Sequence, residues 1–273
     1  MGEPFDRKFT EYYTLSEWVS RFPNLAAGFT SKEGGFSTGP FESLNMGFHV
    51  GDELDKVVSN RRQLAERLGT PIDNWVGAEQ THGNRIVKAS LSDRGKGAKE
   101  YASGFKDTDG FYTNEPGILL TLAFADCVPL FFIAPEQGYI GIAHAGWKGT
   151  AKGIASEMVR TWMAEGISPE EIQVAIGPSI CRNCYVVDDR VINEMEIWLD
   201  ESVEKPYNEI SQGQYSIDLK EMNRLILIKS GIPANHIEMT QFCTSCDSPH
   251  YFSHRRDEGK TGRMLSFIGW KGE

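Results

Sequence analysis

Apolar residues follow two rhythms along this chain. Short runs in which almost every position is apolar occur in "RIVKASL", "GFYTN", "ILLTLAFAD", "PLFFIAP", "YIGIAHA", "IQVAIG" and "HIEMTQF". Their length and their β-branched and aromatic content predict strands. The runs around residues 119–145 are apolar on both faces, which predicts a sheet covered on both sides. Between the runs, apolar residues recur at three- and four-residue spacing. This predicts helices over residues 54–68, stopped by Gly69, and over 150–165, with Ile154, Met158 and Trp162 on one face. Two more are predicted over 191–203 and from an N-cap at Asp218 to Gly231. Strands and helices mixed in this way predict a layered α/β (α+β) protein. The Gly-, Lys- and Asp-rich segment 92–108 reads as a long surface loop. No repeat, low-complexity tract or linker divides the 273 residues, so 1–273 reads as one domain with a sizeable core.

Composition narrows the class of protein. The net charge is −10, which disfavours non-specific nucleic-acid binding but leaves room for a small anion in a local basic pocket. The start "MGEPFDRKF" has no apolar signal region, and the longest apolar stretch contains Asp126 and is too short to span a bilayer. The expectation is a cytoplasmic protein with no membrane and no nucleic-acid partner. Five cysteines (127, 181, 184, 243 and 246) suit that compartment as reduced thiols.

Against this pattern, "FADCVPLFF" places Asp126 and Cys127 inside an apolar run, and "YIGIAHAGWKG" ends one on His144. Adjacent residues of a strand face opposite sides, so Asp126 and Cys127 serve different environments. Pro129 predicts that the strand breaks at Cys127. His144 precedes a strand-to-helix turn, where α/β sheets carry their sites. His82, in "EQTHGNRI", precedes another strand. His82, Cys127 and His144 would form a discontinuous His2Cys set with an open position, the pattern of a catalytic zinc. A Cys127–His144 thiolate pair, as in cysteine hydrolases, explains two of the three residues equally well. The plainest alternative is a small buried thiol.

Arg61 falls at the centre of the apolar stripe of helix 54–68, where a guanidinium needs a partner. It is either a phosphate or substrate ligand, or a packed stem paired with a local carboxylate. "SHRRDEGKTGR" concentrates Arg255, Arg256, Lys260 and Arg263 around glycines, as a phosphate nest or as a solvated loop. The Gly-rich "TSKEGGFSTGPFESLNMGFHVGD" offers Ser31, Asn45, His49 and Asp52. "CRNC" and "CTSC" have the form of zinc-ribbon halves, but they lie much further apart than usual, and ordinary reduced cysteines are the favoured reading.

Taken together, "SLNMGFHVGD", "NRRQLAERLG", "EQTHGNRI", "ADCVPL", "HAGWKGTAKGI", "AIGPSI" and "CTSCDSPHYFSHRRDEGKTGRM" resemble the laccase-domain family, in its Bacillus-type branch. Members are also called polyphenol or multicopper oxidoreductases and are read as purine nucleoside phosphorylases. The resemblance runs from about Gly28 to the end. It implies mixed β-sheets flanked by helices, similar to the catalytic domain of cytotoxic necrotising factor. It implies a metal, zinc or alternatively copper, on His82, Cys127 and His144. The implied reactions are phosphorolysis of adenosine, inosine and methylthioadenosine, and deamination of adenosine to inosine. Purine nucleosides and phosphate are then the partners. Arg61, Asn45, Arg255 and Arg256 are the residues assigned to substrate and phosphate. Three rivals remain: a copper polyphenol oxidase, a Cys127–His144 hydrolase, and a non-enzymatic metal- or nucleotide-binding protein. A multicopper oxidase needs many more histidines than the six present.

Overall fold

The computed structural model describes residues 2–200 and 203–272. Two six-stranded mixed sheets form its centre. The first runs Phe5–Arg7, Tyr12–Leu15, Leu25–Thr30, Met264–Trp270, Leu119–Phe124 and Trp75–Val76. The second runs Ile237–Met239, Gln173–Ile176, Val128–Ala134, Tyr139–Ala145, Gly110–Thr113 and Ile86–Lys88. A small third sheet pairs Val186–Asp188, Gln214–Ile217 and Tyr207–Ser211.

Period-2 alternation explains the layering. Phe131 and Ile133 of one strand join Leu120, Leu122 and Ile268 in a core between the two large sheets. Leu130 and Phe132 of that same strand face Ile154, Met158, Trp162, Met222 and Ile226 on helices Ile154–Ala164 and Leu219–Lys229. On the far side, Leu119, Leu265 and Phe267 of the first sheet pack on Leu64, Ala65 and Leu68 of helix Leu54–Leu68. The order of layers is helix, sheet, sheet, helices, and both central sheets are covered on both faces.

Helix ends follow the expected chemistry. Gly69 takes φ 64° and closes helix Leu54–Leu68, and the Asp218 carboxylate accepts from the Glu221 N–H. The helix expected over 150–165 is two helices, Trp147–Ala151 and Ile154–Ala164, because Gly153 (φ 73°) interrupts them against the Trp198 ring. The helix expected over 191–203 is shorter, Asp189–Met195 followed by a 3-10 turn at Glu196–Trp198. Positions 201–202 of that expectation lie outside the described residues. The segment 92–108 is not purely a surface loop: Ala98 is buried, and the Gly97 and Ala98 carbonyls accept from Arg61.

The strand run is interrupted between Phe124 and Val128, where the chain passes from one large sheet to the other. Pro129 itself lies inside the second of these strands. It is tolerated because the ladder toward Gln173–Ile176 ends at Leu130↔Ile176, and Pro129 there offers only its carbonyl, to the Gly177 N–H.

A candidate metal centre

Strand register builds the site. Val128 pairs with Ala145 and Pro129 with His144, so Cys127 emerges beside the end of strand Tyr139–Ala145. Gly110 pairs with Ala143 on that strand's other side, which brings Asp109 against His144. His82 lies on the connection from Trp75–Val76 in the first sheet to Ile86–Lys88 in the second. Cys127 lies on the other connection just described. Two passages between the sheets therefore open at one end of the layered core, next to His144.

The ligating atoms of His82, Cys127 and His144 lie within 4.8 Å of one another. The two imidazoles meet edge to face, with ring centres 4.8 Å apart. Gly146 completes the cradle: a Cβ there would stand 2.9 Å from Cys127 Sγ and 3.0 Å from His82 Cδ2. Only glycine lets the chain turn so close to both side chains.

Asp109 organises the set and was not singled out in the sequence. It is fully buried. Its Oδ1 is 2.8 Å from His144 Nδ1 and accepts from the His82 N–H at 3.0 Å. Its Oδ2 accepts from the Thr81 and Gly83 N–H groups at 3.1 and 2.8 Å. One carboxylate thus fixes the His144 ring, leaving Nε2 for the cluster, and holds the loop that presents His82, whose φ of 61° lies in the left-handed region. The signal was present as "DTDG", a carboxylate one residue before a strand. It reads as a site only once Gly110↔Ala143 is known.

Burial would raise the Cys127 thiol, but His144 and His82 outweigh it and lower its pKa. Burial would lower His144, but Cys127 and Asp109 raise it. The donor set itself fits a divalent metal: a thiol, one imidazole anchored by a carboxylate, and a second at the solvent edge.

A cavity of about 430 Å³ opens beside the cluster. Trp147, Tyr185 and Ile180 give it apolar walls, while Lys148, Arg255 and Arg263 bring positive charge. Arg255 stacks on Tyr185 at 4.8 Å and donates to the Val186 carbonyl. Arg263 is half-buried and donates one nitrogen to the Thr261 and Gly262 carbonyls. Burial lowers its pKa, only partly offset by Cys127 and Asp126 nearby.

Arg61, Asn45 and Arg256 face elsewhere. Arg61 does not line this cavity and reaches no carboxylate among the described residues. Its Nε and Nη2 donate to the Met46 carbonyl at 3.0 and 2.7 Å, and Nη1 donates to Gly97 and Ala98 at 3.0 and 3.3 Å. The guanidinium also lies over the Phe48 ring at 4.2 Å. Carbonyl dipoles and a ring face satisfy it in place of the anion expected from its position on the stripe. Asn45 is buried. It donates to the Gly47 carbonyl and Asp52, and its Oδ1 accepts from the Gly47 and Arg263 N–H groups. It shapes the loop behind Arg263. Arg256 chelates Asp257 and donates to the Thr244 and Tyr251 carbonyls, away from the cavity. Asp126 (φ 81°) accepts from the Thr244 and Ser253 hydroxyls and the Arg255 N–H, an anchor beside Cys127.

The family model described as multi-copper polyphenol oxidoreductase laccase matches residues 26–271. The chain is 53% identical over 253 residues to the purine nucleoside phosphorylase YlmD of Geobacillus stearothermophilus, covering 92% of each chain. It is 48% identical over 272 residues to the protein of the same name from Bacillus subtilis, covering 98% of each. The crystal structure of YlmD from Geobacillus stearothermophilus superposes with a TM-score of 0.96 at 50% identity, over 99% of this chain and 100% of that one.

Proposed function

The chain belongs to the multi-copper polyphenol oxidoreductase laccase family, and on that premise we propose that it is a zinc-dependent purine nucleoside phosphorylase that also deaminates adenosine. The substrates proposed are adenosine, inosine and methylthioadenosine, with phosphate as the second reactant. One observation carries this reading. A cavity of about 430 Å³, within the size range of small-molecule sites, joins a His2Cys set to cations without carboxylate partners among the described residues.

The residues divide the work. Arg263, with Arg255 and Lys148, would hold phosphate against its charge and in line for attack on C1′ of the ribose, where positioning and charge compensation carry most of the rate. Trp147, Tyr185 and Ile180 would enclose the base and exclude water. Asp109 would keep His144 in one tautomer and His82 in reach. Bound at His82, Cys127 and His144, zinc would supply the Lewis acidity that makes water a nucleophile near neutral pH, as attack at purine C6 requires.

The name of the family does not transfer whole. Among the described residues only one metal-capable cluster contains histidine, and it has two, too few for a multicopper centre. His2Cys also accepts copper, so elemental analysis decides the ion. A second reading draws on Cys127, His144 and Asp109, which stand in the order of a thiol hydrolase triad. It leaves His82 without a role.

The test is chromatography of adenosine incubated with the metal-loaded protein. With phosphate, adenine and ribose 1-phosphate are expected; without it, inosine alone. Untouched nucleosides under both conditions, with Cys127 alkylating rapidly in the metal-loaded protein, would overturn the proposal in favour of the thiol reading.

A further inference from the structure

The four cysteines that the proposed reaction does not use converge on one point. "CRNC" and "CTSC" are separated by nearly sixty residues, yet Ser179 forms a parallel bridge with Cys243, and the Thr244 N–H donates to the Ser179 carbonyl at 3.1 Å. That pairing lays one Cys-x-x-Cys turn on the other. The four Sγ atoms lie within 4.8 Å of one another. Cys184 and Cys246 are 3.4 Å apart at sulfur, and Cys181 and Cys246 are 3.8 Å apart. Zinc–thiolate bonds of about 2.3 Å arranged tetrahedrally require sulfur separations of about 3.8 Å. A disulfide requires about 2.05 Å, and all four thiols are free.

We infer that Cys181, Cys184, Cys243 and Cys246 form a second metal site, a closed tetrahedral zinc centre of structural type. Two backbone N–H groups already point at one sulfur: Cys181 and Cys246 donate to Cys243 Sγ at 3.2 and 3.4 Å, as a thiolate ligand would be supported. Four thiolates around zinc leave two negative charges. Lys220, buried beside Cys181 and Cys243, is the cation to offset them. Its ammonium donates to the Thr240 and Phe242 carbonyls and to no carboxylate among the described residues. With four protein ligands no position is left for substrate, so the centre does not catalyse.

Its position gives it a task. The loop with Cys181 and Cys184 also carries Ile180 and Tyr185, which line the cavity, and the Ile180 N–H donates to the Asp126 carbonyl. The loop with Cys243 and Cys246 carries Thr244, whose hydroxyl donates to the Asp126 carboxylate at 2.6 Å. A metal tying the two loops would fix one cavity wall and brace the residue next to Cys127.

The experiment counts zinc and reactive thiols in the full-length chain, and its outcome does not depend on nucleoside turnover. A His82→Ala/Cys127→Ser/His144→Ala variant should keep one zinc per chain. Its four remaining cysteines should resist alkylation until a strong chelator removes the metal. Cobalt loaded into it should give the absorption of a four-thiolate tetrahedral site. Cys184→Ser/Cys246→Ser should lower the wild-type content from two zincs to one. Should the triple variant fail to fold, peptide mapping of alkylated wild-type protein before and after metal removal reads the same four positions. Rapid alkylation of all four before metal removal, a mass two hydrogens short of the thiol form, or a zinc content unchanged by Cys184→Ser/Cys246→Ser would each overturn the inference.

Discussion

Replacing Asp109 by Asn tests how the metal cluster is held without touching a ligand. The carboxylate accepts on both oxygens: His144 Nδ1 and the His82 N–H on Oδ1, the Thr81 and Gly83 N–H groups on Oδ2. An amide has one accepting oxygen. If its NH2 faces His144, the ring must turn Nδ1 into an acceptor and place its proton on Nε2, the atom needed by the metal. If its NH2 faces the loop, it meets two N–H donors in a site with no solvent, and the turn carrying His82 loses its anchor. Loss of such a carboxylate behind a ligand costs roughly 10–100-fold in metal affinity, or ~1.4–2.8 kcal/mol. Buried N–H groups left unpaired add ~1–3 kcal/mol of lost fold stability. Competition against a chelator of known affinity reads the first effect, and urea unfolding of the metal-free protein reads the second. Asp109→Asn binding zinc within about threefold of wild type would refute the argument that this carboxylate sets the His144 tautomer.

Gly146→Ala places a methyl group against Cys127 Sγ and His82 Cδ2, and should cost metal affinity while leaving far-ultraviolet circular dichroism unchanged; an unaltered affinity would show that the cradle relaxes. Arg61→Met removes four hydrogen bonds to buried carbonyls and should destabilise the fold by ~3 kcal/mol or more in denaturant titration, while the KM for phosphate stays near wild type; a KM effect without instability would restore Arg61 to the substrate site. Arg263→Gln should raise the KM for phosphate well above its effect on adenosine deamination, and equal losses in both reactions would remove Arg263 from phosphate binding. Chelation should expose Cys127 to alkylation and abolish deamination, both restored by zinc; a thiol that alkylates equally before and after chelation would place no metal on it.

Reading apolar runs located the strands that carry the site, because those strands are buried on both faces and announce themselves. It missed Leu25–Thr30 and Met264–Trp270, which pair with each other at the centre of the first sheet. "LAAGFT" is rich in alanine and glycine for a packing reason. A Cβ on Gly28 would run into the Tyr13 carbonyl and the Phe267 ring, so the position that makes the run look weak is the one that lets the strands close. The apolar stripe correctly points Arg61 inward, but its partners are backbone carbonyls 15 to 37 residues away, invisible to a search for charge. Periodicity tells which way a side chain faces, not what waits there.

The site residues divide along the same line. His82, Cys127 and His144 stood out because a polar side chain interrupting an apolar run is costly and needs a reason. Asp109 did not, since a carboxylate next to a turn glycine is ordinary until strand register sets it beside His144. The paired cysteines were legible as motifs, and only their separation argued against a site. A long separation excludes a ribbon only where both halves must belong to one local hairpin. Here the Ser179↔Cys243 bridge does what the hairpin would have done. The loops it joins leave the ends of strands Gln173–Ile176 and Ile237–Met239, which run parallel and adjacent in the second sheet. Parallel neighbours send their following loops off the same edge, however long the chain between them. Sequence distance is therefore a poor guide to which side chains meet in a mixed sheet, and the order of strands is the better one.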